Sequence, residues 1–303
     1  MNEDSAVAPS ARRELDWTNI VFLAGAHAMA IAGIAYLVFV RCSVWTLALA
    51  GVWMALSSLS ITGGYHRLFA HPTYRCAWPL RVFYLLFGAA AVQNSALKWS
   101  SDHRRHHAHT DESSDPYNIQ KGFWWAHMGW LFFKDEDEPL DNVRDLEAFP
   151  SIRFQDRHYL ALAIIIGGLV PAGIAAFWGD PLGGLLVAGF VRLVLQYHAT
   201  FSINSVAHLI GSQPYSRDTS ARDSFLTAIV SLGEGYHNYH HRFPIDYRNG
   251  VRAYHFDPTK WWIRALSFVG VVWDLKRAPQ STVERARESV RSAAGAAGTG
   301  ATS

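Results

Sequence analysis

"IVFLAGAHAMAIAGIAYLVFV", Ile20 to Val40, and "VWTLALAGVWMALSSLSITGG", Val44 to Gly64, decide the fold. Each run is about 21 residues long, which matches the roughly 20 residues that carry a helix across the bilayer core. A second pair follows at about 160–178 and 182–203, joined by "WGDPL" (Trp178 to Leu182), whose Gly-Asp-Pro is a turn signal. Between the pairs lies a polar region of about 95 residues, His66 to Tyr159, and about 100 residues follow the fourth run. The pattern predicts an all-α integral membrane protein: two helical hairpins, with everything else gathered on one face.

Composition agrees. Half of the 303 residues are hydrophobic and 14% are aromatic, far more than a disordered chain carries. Lys plus Arg (27) exceeds Asp plus Glu (25) by only two, and the basic residues form no tract, which argues against a nucleic-acid partner. Two cysteines, Cys42 and Cys76, are too few for a disulfide framework or a cysteine-based zinc or iron–sulfur site. The start, "MNEDSAVAPSARRELDW", lacks the apolar core and cleavage site of a secretory signal and reads as a retained cytosolic tail over residues 1–18. Residues 19–276 then form the membrane domain, and 277–303 a tail whose last stretch, "SAAGAAGTGATS", is low-complexity and expected to be disordered. Arg12 and Arg13 precede the first span and Arg67, Arg75 and Arg81 follow the second, while Arg41 stands alone in the opposite loops. That bias places both termini in the cytosol.

One further apolar segment, "LRVFYLLFGAAAVQNSALKW" (Leu80 to Trp99), is interrupted by Gln93, Asn94 and Ser95, leaving about 13 apolar residues in a row. It predicts an interfacial helix at about 80–98 rather than a fifth span. A crossing there would also put histidines on opposite faces of the membrane. For the same reason "SFLTAIVSLGEG" (Ser224 to Gly235) is expected to stay on one side.

Of fifteen histidines, nine form a distinct arrangement: "HRLFAH" (His66, His71), "HRRHH" (His103, His106, His107), "NSVAHLIG" (with Asn204 and His208) and "HNYHH" (His237, His240, His241). In both HxxHH clusters the rings lie at i, i+3 and i+4, one stripe of a helix. The five-residue spacing of His66 and His71 shares no face of an ideal α-helix, so the end of the second span is expected to be distorted, with Gly63-Gly64 loosening it and Pro72 stopping it. Any one cluster has an ordinary surface or core explanation; four groups falling just beyond spans or within one polar region point to a built site. Nine imidazoles exceed the four ligands of one zinc, imply two metal ions, and suit iron doing oxygen chemistry.

These boxes, with "GEGYHNYHHRFPIDYR" (Gly233 to Arg248) and "WWAHMGWLF" (Trp124 to Phe132), closely resemble the membrane fatty acyl-CoA desaturases of the stearoyl-CoA type over roughly Trp45 to Trp273. The resemblance implies two irons held by His66, His71, His103, His106, His107, His208, His237, His240 and His241, with Asn204 reaching one of them through water. It implies four spans under a cytosolic helical cap, and an enzyme that inserts a cis double bond, at Δ9 by default, into a long-chain acyl thioester with O2. It also places Trp99, Trp130 and Phe201 along the acyl path, and Gln93, Asn94, Arg104 and Lys134 at the head group. The basic pair that family members carry after "GWL" is reduced here to Lys134, followed by the acidic run Asp135 to Glu138, which bears on whether CoA is the carrier.

The chemistry supplies its own logic. An unactivated methylene has no acidic hydrogen, so an oxidant made from O2 must abstract one, at a cost of two external electrons. No Gly-rich phosphate-binding turn follows a strand, so a separate ferredoxin or small cytochrome with its reductase is the expected donor. Carboxylates that orient imidazole N–H groups are expected among Asp102, Asp111, Glu234 and Asp246. Met54 and Ser58, twelve and eight residues before His66 on one helical face, are expected to close the far end of an acyl channel. His27, His109, His127, His158, His198 and His255 are read as structural. An acyl hydroxylase, or a decarboxylase forming a terminal alkene, is the nearest rival; a metal transporter is the distant one, since its site would lie near the bilayer midplane.

Overall fold

The structure, a computed structural model, describes residues 13–134 and 139–299. Residues 1–12, the acidic run 135–138 and residues 300–303, each read above from sequence, lie outside the described residues. The first hairpin is α1 (Trp17–Phe39) and α2 (Val44–Ala70). Asp16 starts α1 by accepting the Asn19 amide, and Ser43 starts α2 by accepting that of Thr46, which satisfies amides that have no partner within the helix. Then come α3 (Trp78–Ala89), α4 (Ala96–Ala108), the one-turn α5 (Phe123–His127) and α6 (Pro150–Arg157). The second hairpin is α7 (Tyr159–Ala176) and α8 (Pro181–Leu209). It is followed by α9 (Phe225–Val230), α10 (His237–Arg242), α11 (Pro258–Phe268) and α12 (Gln280–Thr299). Only α1, α2, α7 and α8 among the described helices are long and apolar enough to cross a membrane. The protein is a membrane protein.

Asp180, at the turn between α7 and α8, ties the hairpins together at the end away from the histidines. It caps α8 and accepts the hydroxyls of Tyr36, at 2.6 Å, and Thr46. At the other end, α2 runs past the apolar stretch and widens from Ser60 to Ala70 into π geometry, in which amides bond five residues back. Here lies the expected distortion: the His71 amide meets the His66 carbonyl at 3.1 Å, so residues five apart share a face. Gly64 lets α3 approach, since a Cβ there would lie 2.6 Å from Tyr84 Cβ. A second widening at Ile165–Leu169 of α7 frees carbonyls that two buried side chains take up. Trp53 donates to Ile166 at 2.8 Å, and Arg192 to Gly167 at 3.2 Å.

Beside this end of the bundle, Tyr65, Phe69, Tyr84, Leu97, Ile152 and Ile263 bring α2, α3, α4, α6 and α11 into one core. A two-residue ladder, Arg75–Cys76 antiparallel to Val272–Trp273, ties the segment after α2 to the segment after α11. Two expectations are corrected. The interfacial helix at 80–98 is two helices broken over Ala90 to Ser95, where Val92 and Asn94 adopt φ of 50° and 73° and Ser95 caps α4. At 12 residues, α3 is too short to cross. The chain end expected to be disordered is helical to Thr299: alanine is the strongest helix former, and Val283 and Ala286 anchor α12 against Tyr215, Tyr239 and Phe243.

Candidate metal centre

The widened end of α2, the last two turns of α4, the end of α8 and the short α10 converge and aim nine imidazoles at one another. They form two groups. His66, His71, His103, His107 and His240 make one, and His106, His208, His237 and His241 the other; within each, one nitrogen per ring lies within 4.8 Å of all the rest. In the first group the Nε2 atoms of His66 and His240 are 2.9 Å apart, those of His71 and His103 2.8 Å, and those of His107 and His240 3.0 Å. In the second, His237 Nε2 lies 3.1 Å from that of His208 and 3.0 Å from that of His241, and His106 and His241 are 3.3 Å apart. Each triplet is shared between the groups. The i, i+4 pairs, His103 with His107 and His237 with His241, stay together, while His106 and His240 turn to the other group. Such donor sets can each hold one ion.

Burial, and then the neighbouring rings, push His71, His103, His107, His237, His240 and His241 well below the ordinary histidine range. These rings are therefore neutral, the form in which imidazole binds metal. Their outward nitrogens are oriented by the rest of the chain. Glu234 Oε2 accepts His66 Nδ1 at 2.7 Å and Asn249 Nδ2 at 2.6 Å, while its Oε1 accepts Arg67 at 2.8 Å. Burial raises this carboxyl, but His66 and Arg67 outweigh it and hold it down at about 2. Arg67 is in turn paired with Asp257 at 3.0 Å. Asp111 acts through a hydroxyl: it accepts Ser220 Oγ at 2.5 Å, and Ser220 faces His208 Nδ1 at 2.7 Å.

The other two expected carboxylates are engaged elsewhere. Asp102 is drawn to Lys98 and Arg105 of its own helix, at 2.7 and 3.4 Å. Asp246 accepts the Tyr239 hydroxyl and pairs with Arg248, both at 2.8 Å, so it fixes α10 rather than a ring. Sequence reading missed Asp115, whose Oδ1 lies 2.9 Å from His106 Nδ1 and which also accepts its own loop's amides from Asp111 and Tyr117. The Asp-Pro turn nine residues after His106 was the available signal; Ser220 offered none.

Two cavities open beside the first group. One, about 60 Å³, runs between α2 and α8 past Ser58, Ile61, Thr62 and Gln196. The other, about 350 Å³, is bounded by α1, α8 and the break before α4, and includes Gln93, Asn94, Trp130 and Phe201. Trp99, His103, Thr200 and Asn204 border both. Trp99 stacks on His103 with ring centres 5.0 Å apart. Thus Ser58, Gln93, Asn94, Trp99, Trp130, Phe201 and Asn204 gather here, and three predicted residues do not. Met54 lies outside both linings. Arg104 is turned away into a clamp on the carbonyls of Phe69, Ala70 and Asn142 and on Asp145, because the end of α2 offers acceptors within its reach. Lys134 pairs with Glu14 at 2.7 Å.

Behind Phe201 stands a separate series of side chains. His27 faces the Leu23 carbonyl at 2.7 Å and His198 at 3.2 Å; His198 faces His127 at 3.0 Å, and His127 faces Ser205 at 2.9 Å.

A family model described as Fatty acid desaturase matches residues 43–270, from the start of α2 to the end of α11, and so encloses all nine histidines. The chain belongs to the fatty acid desaturase family. Desaturase relatives align along most of it. It is 43% identical over 276 residues to "Probable acyl-CoA desaturase" of Schizosaccharomyces pombe, covering 90% of this chain and 57% of that protein. It is 33% identical over 280 residues to "Stearoyl-CoA desaturase 5" of Bos taurus (90% and 83%) and 36% identical to "Acyl-CoA Delta12-desaturase" of Acheta domesticus (90% and 78%). The chain thus spans little more than half of its yeast relative.

Proposed function

We propose that this chain is a membrane di-iron desaturase that inserts a cis double bond, at Δ9, into a saturated long-chain acyl-CoA, using O2 and two electrons from a separate ferredoxin or small cytochrome. The observation that carries the reading is the pair of imidazole groups bordering apolar cavities at the ends of membrane helices. An all-imidazole donor set fits iron and leaves positions open. Bound iron would supply the O2-dependent oxidation that removes hydrogen from an unactivated methylene. The nine histidines would hold it, with Asn204, on the cavity wall beside His103, joining through water.

The remaining residues bind and exclude. Trp99, Trp130 and Phe201 pack along an acyl chain and keep water out; Gln93 and Asn94 offer polar contacts nearer the thioester. Ser58 borders the smaller cavity, where the chain's far end would stop. Glu234, Asp115 and the Asp111–Ser220 pair keep His66, His106 and His208 facing inward. Removing two hydrogens while reducing O2 to two waters also consumes two protons. The arginines flanking the inner ends of the first hairpin support a reading in which both termini and the site face the cytosol.

The test is to express the chain in a host with a supplied electron donor and to map double bonds in its lipids by gas chromatography and mass spectrometry. A new alkene at C9 is expected. A hydroxyl group or a chain shortened to a terminal alkene would replace this reading with hydroxylation or decarboxylation. The Acheta domesticus relative is named for Delta12, so a new alkene at C12 instead would replace the Δ9 assignment.

A further inference from the structure

The break between α3 and α4 is held in a conformation its sequence does not favour. Val92 sits at φ 50°, a region that β-branched residues avoid, and Asn94 follows at 73°. Neither is glycine, so the turn persists because its surroundings impose it. Those surroundings come from the second hairpin. Tyr197 Oη donates to the Val92 carbonyl at 2.7 Å, and Arg192 Nη1 to the Ala90 carbonyl at 2.8 Å. Tyr159 Oη accepts the Asn94 amide at 3.0 Å, and Gln93 Nε2 donates to Thr200 at 3.0 Å.

Arg192 is 2% exposed within a membrane helix, and its partners are backbone carbonyls and Gln196; among the described residues no carboxylate pairs with it. A guanidinium at such a depth is costly and marks a position with a task. It joins the end of α3, the widened turn of α7 and, through Gln196, Ser57 of α2 at 2.8 Å. The loop so fixed carries Gln93 and Asn94 into the cavity that His103 and Trp99 also border.

Resting on the desaturase reading above, we propose that Tyr197 and Arg192 are positioning residues that set the register of the acyl chain. They hold the strained 90–94 loop at a fixed distance from the five-histidine group, and that distance selects which carbons are oxidised. The four hydrogen bonds from the second hairpin are what hold the loop in place against its strain.

Two variants test this. Tyr197→Phe removes the bond to Val92 O, and Val92→Gly frees the backbone at the turn while also removing a side chain from the cavity wall. Both are expressed beside the wild type, and double-bond positions and iron per chain are measured. Positional isomers one or two carbons away rise about fivefold relative to the main product, the factor that the loss of one ordinary hydrogen bond represents, while iron content is unchanged. An unchanged isomer ratio in the two folded variants overturns the proposal. Amide hydrogen exchange at Val92 and Asn94, read without substrate, accelerates in Tyr197→Phe; unchanged exchange overturns it whatever the products. A wild type that makes no double bond overturns the desaturase reading instead.

Discussion

Replacing Glu234 by glutamine removes one charge from a site that is 3% exposed, with almost no change of shape. Its two oxygens accept His66 and Asn249 on one side and Arg67 on the other. A glutamine has one oxygen and one NH2, so in either orientation the NH2 faces an existing donor. At least one charge-assisted bond is lost, worth about 1.5–3 kcal/mol. Arg67 also loses a counter-charge but keeps Asp257 at 3.0 Å. The cost to folding therefore falls near the lower end of the roughly 3–5 kcal/mol for breaking a buried pair, about 3 kcal/mol. His66, no longer held with Nδ1 protonated, presents Nε2 less well, and loss of such a partner weakens metal affinity about 10–100-fold, or about 1.4–2.7 kcal/mol. The assay is chelator competition on the iron-loaded protein in detergent, with metal per chain counted at each chelator concentration and denaturant unfolding run in parallel. Iron retention within about twofold of wild type, with stability within about 0.5 kcal/mol, would refute the argument that Glu234 orients His66.

Asp115→Asn acts on the other group: His106 loses its carboxylate, and the four-histidine site should weaken about 10-fold while the five-histidine site is kept, so that titration with chelator resolves two steps instead of one. Acid should release metal with a defined sign. The six rings named above have folded values below the ordinary 6.5, so below pH 6.5 the unfolded chain binds more protons than the folded one. Stability and metal retention should hold steady above pH 6.5 and fall together as pH drops below it; retention that rises on acidification contradicts the burial argument. Gly88→Ala would bring a methyl within 2.3 Å of the Tyr65 ring, which is fully buried one residue before His66. A loss of about 1–3 kcal/mol in denaturant unfolding is expected, and no loss would mean that α3 does not pack on α2 as described.

The apolar runs made all four membrane helices legible, and the i, i+3, i+4 spacing announced the inward-facing rings of α4 and α10. Even the misfit of His66 and His71 was informative, because a five-residue spacing can only be reconciled with one face by widening the helix. What stayed hidden depends on contacts between distant segments. Val92 carries no turn signature, and its conformation is imposed by Tyr197, 105 residues away. Asp111 reaches His208 only through Ser220, 109 residues further on. Arg104 resembles a head-group cation in sequence, yet the nearest acceptors are the carbonyls that the end of α2 leaves unbonded.

The imidazole series behind Phe201 has a direction. The Leu23 oxygen can only accept, so His27 offers it the hydrogen on Nδ1, and when each ring of the line carries a single hydrogen, His27 Nε2 accepts from His198 Nε2. His198 then accepts at Nδ1 from His127 Nε2, which leaves His127 Nδ1 as an acceptor facing the Ser205 hydroxyl. That hydroxyl is also 2.9 Å from the Phe201 carbonyl, and it has a single hydrogen for both. One backbone oxygen on α1 thus sets the tautomer of three singly protonated rings in succession, and Ser205 can serve either His127 or Phe201 at the far end of the line, but not both at once.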